Sequence, residues 1–230
     1  MHTLARFAGP NGEIAVMEDG ATGARHYREG GVSQSCVLPG GAAGVEYIKL
    51  MAALLEGGTD ALLLGCGGGS LATMLHRAGT RVAVVEVNPI SFELARTFFW
   101  MPAGIECITA DMRAFVKRQA RRFDAIGIDV GGPDFRYESV LDRAAIAGVR
   151  RVLREGGRIA ANISCEAPDD PVPGRIAERF KAAGLDVWMF MEDAASIELN
   201  AVILASARRE TSADLAAHAG TRWSLARLTG

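Results

Sequence analysis

The sequence predicts an α/β chain with a Rossmann-like, seven-stranded, mostly parallel sheet and a small N-terminal β-hairpin unit. Three observations predict it. From residue 61 onward, short apolar runs alternate with segments of helical apolar spacing, the pattern of a sheet covered by helices on both faces. The first such run, Ala61-Leu62-Leu63-Leu64, is apolar throughout and passes directly into Gly65-Cys66-Gly67-Gly68-Gly69-Ser70, as a buried parallel strand opening onto a loop should. Between residues 186 and 205, two apolar runs follow one another with little room for a helix, which makes that pair antiparallel.

The elements follow in chain order. Residues 1–46 form the hairpin unit: Ile14 and Val16 alternate with smaller neighbours, Asp19-Gly20-Ala21-Thr22-Gly23 turns the chain, and Arg25 to Arg28 returns before a second turn at Gly30-Gly31. Helical spacing from Val45 to Leu55 ends at Gly57-Gly58. The domain 47–208 then reads as strands at Ala61–Leu64, Arg81–Val87, Ile105–Thr109, Ala125–Ile128 and Arg158–Ile163. Between them lie helices at Leu71–Ala78, Ser91–Trp100, Met112–Arg121 and a single long Tyr137–Leu153. A helix at Ile176–Ala183 leads to the two closing strands, Asp186–Met191 and Ala201–Ala205. Residues 209–230 are polar and weakly patterned, and read as a loosely docked tail.

Composition excludes several function classes. The formal net charge is −2 and the sequence pI is about 6.1, so bulk positive charge does not hold this chain on nucleic acid. No stretch approaches the roughly 18 apolar residues of a membrane helix, and the N-terminal residues lack the apolar segment of a secretory signal. The four cysteines, Cys36, Cys66, Cys107 and Cys165, lie far apart with no CxxC pair. The expectation is a reduced, cytoplasmic protein with no metal, no nucleic-acid partner and no membrane partner.

The glycine loop and two acids carry the ligand argument. Gly65, Gly67 and Gly69 permit backbone angles closed to other residues and let a ligand approach the main chain. The loop gives GxGxG, not the dinucleotide GxGxxG, because its sixth position is Ser70. Glu86 ends the second core strand about twenty residues later, where a carboxylate can accept both hydroxyls of a ribose. Asp111 follows the third strand, where an acid can accept an adenine amino group. The plainer alternative makes both acids helix N-terminal residues favoured by the helix dipole. Two acids at successive strand ends beside a glycine loop favour a nucleoside.

Leu64-Gly65-Cys66-Gly67-Gly68-Gly69, Val85-Glu86-Val87-Asn88-Pro89 and Ala110-Asp111-Met112-Arg113 resemble the first motifs of the class I S-adenosylmethionine-dependent transferases. Within that superfamily the chain resembles spermidine synthases and their bacterial relatives, over roughly Ile14 to Ser206. Gln34-Ser35 resembles the Gln-Ser after that family's hairpin, Tyr47 and Met51 its gatekeeping helix, and Arg122 to Asp129 the strand that delivers a catalytic acid. The resemblance implies the class I methyltransferase fold and a homodimer with the hairpin unit near the interface. It implies cofactor contacts from Gln34, Gly65, Gly67, Gly69, Glu86, Asp111 and Asp129. Asp129 would be the general base, or would only orient the cofactor. Tyr47, Asp134 and Tyr137 are the candidate substrate-binding residues.

The sequence also departs from that family. Spermidine synthases carry Gly-Gly-Gly-Asp-Gly in the loop, and here the Asp position is Gly68 or Gly69. They carry a second acid after the fourth strand, and here the run is Asp129-Val130-Gly131-Gly132-Pro133. Asp134 and Glu138 are the acids close enough in sequence to substitute for it. A polyamine site needs carboxylates for its ammonium groups, and a loop of bare backbone amides suits the carboxylate of intact S-adenosylmethionine. The expectation is therefore a methyltransferase-like enzyme using intact S-adenosylmethionine on a small molecule, with amines among the candidate acceptors. The alternatives are a polyamine aminopropyltransferase using decarboxylated S-adenosylmethionine, and a non-catalytic homologue that binds the nucleoside as an interaction module. Lys117, Arg118, Arg121 and Arg122 read as a solvated helix face, and Phe98 to Met101 as core.

Overall fold

The computed structural model describes residues 1–132, 135–193 and 199–228. Two sheets form it. The first is five-stranded and antiparallel, in the order β1 (His2–Gly9), β2 (Gly12–Glu18), β3 (Arg25–Glu29), β4 (Val32–Leu38), β5 (Ala42–Ala43). The expected hairpin is thus the middle of a larger meander. Of the strands the sequence left unassigned, β1, β4 and β5, the first shows only exposed and half-buried side chains, so little apolar patterning reveals it.

The main sheet is assembled from β6 (Asp60–Leu64), β7 (Arg81–Glu86), β8 (Glu106–Thr109), β9 (Phe123–Ile128), β10 (Leu153–Cys165), β11 (Asp186–Glu192), β12 (Leu199–Ser206) and β13 (Trp223–Arg227). Its order is β13-β11-β12-β10-β9-β6-β7-β8. Neighbours from β8 to β10 are parallel, and β12 runs antiparallel to both β10 and β11. The expected count of seven becomes eight because β13 pairs with the outer edge of β11.

Helices cover both faces. On one side α1 (Glu46–Leu54), α2 (Ser70–Arg77) and α8 (Ser212–Ala219) pack with Leu63, Val84 and Trp188. On the other, α4 (Met112–Arg118), α6 (Arg143–Val152) and α7 (Val172–Ala182) bury Leu62, Ile126 and Phe180. A third cluster joins the N-terminal sheet to α3 (Ile90–Phe98) through Ile14, Tyr27, Val37, Leu94 and Phe99. The expected long helix is split into α5 (Tyr137–Val140) and α6. Asp142 breaks it by capping α6, its Oδ1 accepting the Ala145 N–H at 2.8 Å.

The expected loose tail is also corrected. Leu215 and Trp223 are buried, and Glu210, 4% exposed, receives Arg158 Nη2 at 2.7 Å and Arg208 Nε at 3.0 Å. Polar composition concealed a segment held by one buried ion-pair cluster and two apolar anchors. Arg121, expected on a solvated face, instead donates to the buried Asp60 and stacks over Phe123 at 4.8 Å. No helix of the described residues is long and apolar enough to cross a membrane.

Candidate active site

A cleft of about 480 Å³ opens at the C-terminal edge of the central strands, the edge where ligands bind in such sheets. The N-terminal sheet forms one wall through Tyr27, Glu29 and Gln34, and the loops after β6, β7 and β9 form the opposite wall. Gly65, Gly67, Glu86, Asp111, Asp129, Tyr47 and Tyr137 all line it. The sequence-derived candidates therefore converge, with two exceptions. Gly69 lies behind the loop, and Asp134 lies outside the described residues.

The glycines are needed for different reasons. At Gly65 (φ +102°) an added Cβ would sit 1.9 Å from the Asp129 carbonyl oxygen, so the loop and the end of β9 touch backbone to backbone. Gly69 (φ +75°) is the N-cap of α2, and its face is closed by Met101 Sδ at 2.8 Å. Its role is to turn the chain into the helix.

The loop amides are less available than the sequence suggested. The Gly65 N–H donates to Val85 O, the Cys66 N–H to Glu86 Oε2 at 3.0 Å, the Gly68 N–H to Ser35 Oγ at 2.7 Å, and the Gly69 N–H to Cys66 O. Among the described residues only Gly67, of these five, leaves its N–H without a protein acceptor. Ser35 also donates to Gln34 O at 2.6 Å, so the N-terminal sheet is fastened to the loop through one hydroxyl.

Glu86 has a structural duty beside its proposed one. Its Oε1 accepts the Asn88 N–H at 2.9 Å while Oε2 holds Cys66. A carboxylate offers about four lone-pair sites, so capacity for hydroxyl donors remains on the side facing the cleft. Asp111 realises the plainer expectation with one oxygen, Oδ1, which accepts the Ala114 N–H at 2.9 Å and caps α4. It is exposed at the cleft wall.

Asp129 follows the last residue of β9 at the cleft base. Its Oδ1 accepts Asn162 Nδ2 at 3.1 Å, and its Oδ2 accepts the Tyr47 hydroxyl at 3.4 Å. Burial raises its pKa above the usual carboxylate range, and these two hydrogen bonds only partly oppose that shift. The group is thus a better proton acceptor than a surface carboxylate. Tyr137 accepts the Ser164 N–H at 3.0 Å, and burial pushes its own pKa up to about 12. Glu138 is committed elsewhere, accepting Arg175 Nε at 2.8 Å with Arg179 Nη2 at 3.8 Å.

Sequence reasoning missed Asn162, the direct partner of Asp129. The signal was present: one polar residue interrupts the apolar run Ile159-Ala160-Ala161-Asn162-Ile163. It was also silent on Ser164 and Asn200, which line the far end of the cleft. The residues fit an S-adenosyl nucleoside: an acid with spare acceptor sites, a free loop amide and a basic carboxylate share one cleft.

Residues 61–157 match the methyltransferase domain family. The N-terminal histidine N-methyltransferase of Emericella nidulans is 32% identical over 118 residues, which is 46% of this chain and 20% of that protein. The chain thus spans about a fifth of the length of that curated relative. Among solved structures, one described as a probable spermidine synthase from Corynebacterium glutamicum superposes with a TM-score of 0.83 at 16% identity, covering 97% of this chain and 90% of that one. A TehB-like S-adenosylmethionine-dependent methyltransferase from the same species gives 0.55 at 20% identity, covering 71% of this chain and 88% of the other. Both likenesses concern the fold. Sheet order, glycine loop and the domain match over residues 61–157 make this chain similar to the class I S-adenosylmethionine-dependent transferases.

Proposed function

We propose that the chain is a methyltransferase that uses intact S-adenosylmethionine on a small-molecule acceptor. The observation that carries this reading is the closed face of Gly68. Spermidine synthases, by the resemblance above, place an acid in this stretch of loop to hold the donor's amino group. Here a Cβ at Gly68 would lie 2.7 Å from Val37 Cγ2 and 3.2 Å from Ser35 Cβ. Val37 is fully buried and short, so it cannot swing aside. The position has no room for a carboxylate. The Gly67 N–H and the nearby Gln34 side chain are neutral polar groups on the same stretch of cleft, and such donors suit a donor molecule that keeps its carboxylate. The matched domain description and the relative's name point the same way.

When bound, S-adenosylmethionine supplies a methyl group already activated by its positive sulfur. The chain's own work is alignment and proton handling. Glu86 and the glycine loop hold the nucleoside, Tyr47 and Asn162 fix the Asp129 carboxylate, and Asp129 takes a proton from the acceptor. Alignment alone can lower the barrier by several kcal/mol, roughly 7–11 at best. Aminopropyl transfer from decarboxylated S-adenosylmethionine is the second reading, favoured by the likeness that spans 97% of the chain.

Calorimetric titration separates them. The expected result is at least ten-fold tighter binding of S-adenosylmethionine than of its decarboxylated form, about 1.4 kcal/mol. Tighter binding of the decarboxylated form would replace methyl transfer by aminopropyl transfer. Failure of both to bind would leave a non-catalytic homologue.

A further inference from the structure

The far end of the cleft, beyond Asp129, differs in chemistry from its nucleoside end. Phe135 and Tyr137 stand edge to face with ring centroids 5.0 Å apart, and Val130 and Val140 extend this apolar wall. Asn162 lines the same cleft and is only 5% exposed. Its Nδ2 is spent on Asp129, and the Asp129 carboxylate fixes that orientation, because the flipped amide would set oxygen against oxygen. Its Oδ1 is left buried without a hydrogen-bond partner among the described residues. A buried acceptor without a donor is costly, and a native structure that retains one calls for an explanation.

Resting on the transferase reading of Asp129, we propose that the acceptor is a monoamine: a primary amine carried on an apolar or aromatic body, not a polyamine. Asp129 and Asn162 Oδ1 are two adjacent acceptors, and a nitrogen bearing two hydrogens can satisfy both. A hydroxyl or thiol brings one hydrogen and leaves one acceptor unmet. Oδ1 is sealed from bulk water, so the nitrogen must displace a neighbouring side chain to reach it. The carbon body of the amine then lies along Phe135 and Tyr137.

Among the described residues, a second ammonium would meet an apolar wall. Of the two acids close in sequence, Asp134 lies outside the described residues, and Glu138 is already held by Arg175 and Arg179. Glu166 lies at the cleft rim and is solvent-exposed, where its attraction for an ammonium is screened. In the reaction the amine enters neutral, its extra proton lost beforehand to water. Its lone pair forms the new N–C bond while the S–C bond of the donor breaks, leaving that pair on sulfur. The surplus proton of the methylated ammonium passes to Asp129, so atoms and charge balance.

The test measures binding of 2-phenylethylamine, 2-phenylethanol and putrescine to the full chain saturated with S-adenosylhomocysteine. The expected result is 2-phenylethylamine binding at least ten-fold tighter than either of the others. Equal or tighter binding of putrescine, equal binding of the alcohol, or no binding of the amine overturns the proposal. In a parallel assay the amine is offered each donor. Aminopropyl transfer with the same acceptor order would refute the methyl-transfer reading and leave the acceptor assignment standing. In Asn162→Ala, checked for folding by its thermal melt, the preference of amine over alcohol should shrink to three-fold or less. An unchanged preference would remove Asn162 from the pair of acceptors.

Discussion

Asp129→Asn should lower kcat/KM by about 10²–10⁴ while the thermal midpoint stays level or rises. The two effects share one cause. Burial raises the Asp129 pKa, and the bonds from Asn162 and Tyr47 do not fully offset it. A carboxyl whose folded pKa lies above its unfolded value contributes stability at low pH, and that contribution is lost as pH rises through the folded pKa. At neutral pH the ionised group is therefore a burden on the fold, and the neutral amide relieves it. The same shift makes the carboxylate a competent proton acceptor. In the native protein, activity should fall as pH drops through this raised pKa, on an acid limb above the ordinary carboxylate range. The variant should show no such limb. A pH–rate profile and a melting curve on both proteins check the pair, and activity within ten-fold of native would remove Asp129 from proton transfer.

Glu210→Ala should cost about 3–5 kcal/mol and lower the melting temperature by roughly 6–20 °C for a chain of this size. Burial opposes ionisation of Glu210, but donors from Arg158, Arg208 and Ser206 outweigh it and hold its pKa down to about 2. Arg158 is itself mostly enclosed, its side chain 16% exposed, so deletion of the carboxylate leaves a cation without its partner. Because the folded pKa is depressed, the stabilisation is present above the unfolded value and is lost as pH falls towards 2. Urea unfolding at pH 7 and at pH 3 should show a smaller gap between the two proteins in acid. A gap below 1 kcal/mol at pH 7 would mean that solvent already reaches the pair.

The parallel core was legible because Leu62, Leu64, Ile126 and Ile128 face one apolar layer while Ala61, Leu63 and Ala125 face the other, and an unbroken apolar run can hardly be anything else there. Short elements with mixed faces were not. β1 lies on the outer edge of its sheet and buries little, while β13 is held by Trp223 and by main-chain pairing to β11, which leaves scant trace in composition. At the site, residues carried on strand ends and loops were readable as motifs: Gly65, Glu86, Asp111 and Asp129 all reach the cleft. The partnerships were not readable. That Cys66 and Asn88 share Glu86, that Ser35 takes a loop amide, and that Asn162 meets Asp129 all depend on contacts across sheets or between neighbouring strands. Tyr47, read only as a substrate-binding candidate, donates to Asp129, while Glu138 was diverted by two arginines that spacing alone could not reveal.

The position of β13 bears on how the chain is made. β11 leaves the ribosome well before residues 223–227, and β12 inserts between β10 and β11 without covering the outer side of β11. During that interval the nascent sheet carries a row of open main-chain donors and acceptors beside Trp188 and Phe190, a template on which another chain can pair. Release of residues 223–227 closes it. A released chain that ends short of that point would have the cleft lining in place and a sticky margin, so chains truncated before Trp223 should aggregate more than chains that include Arg227.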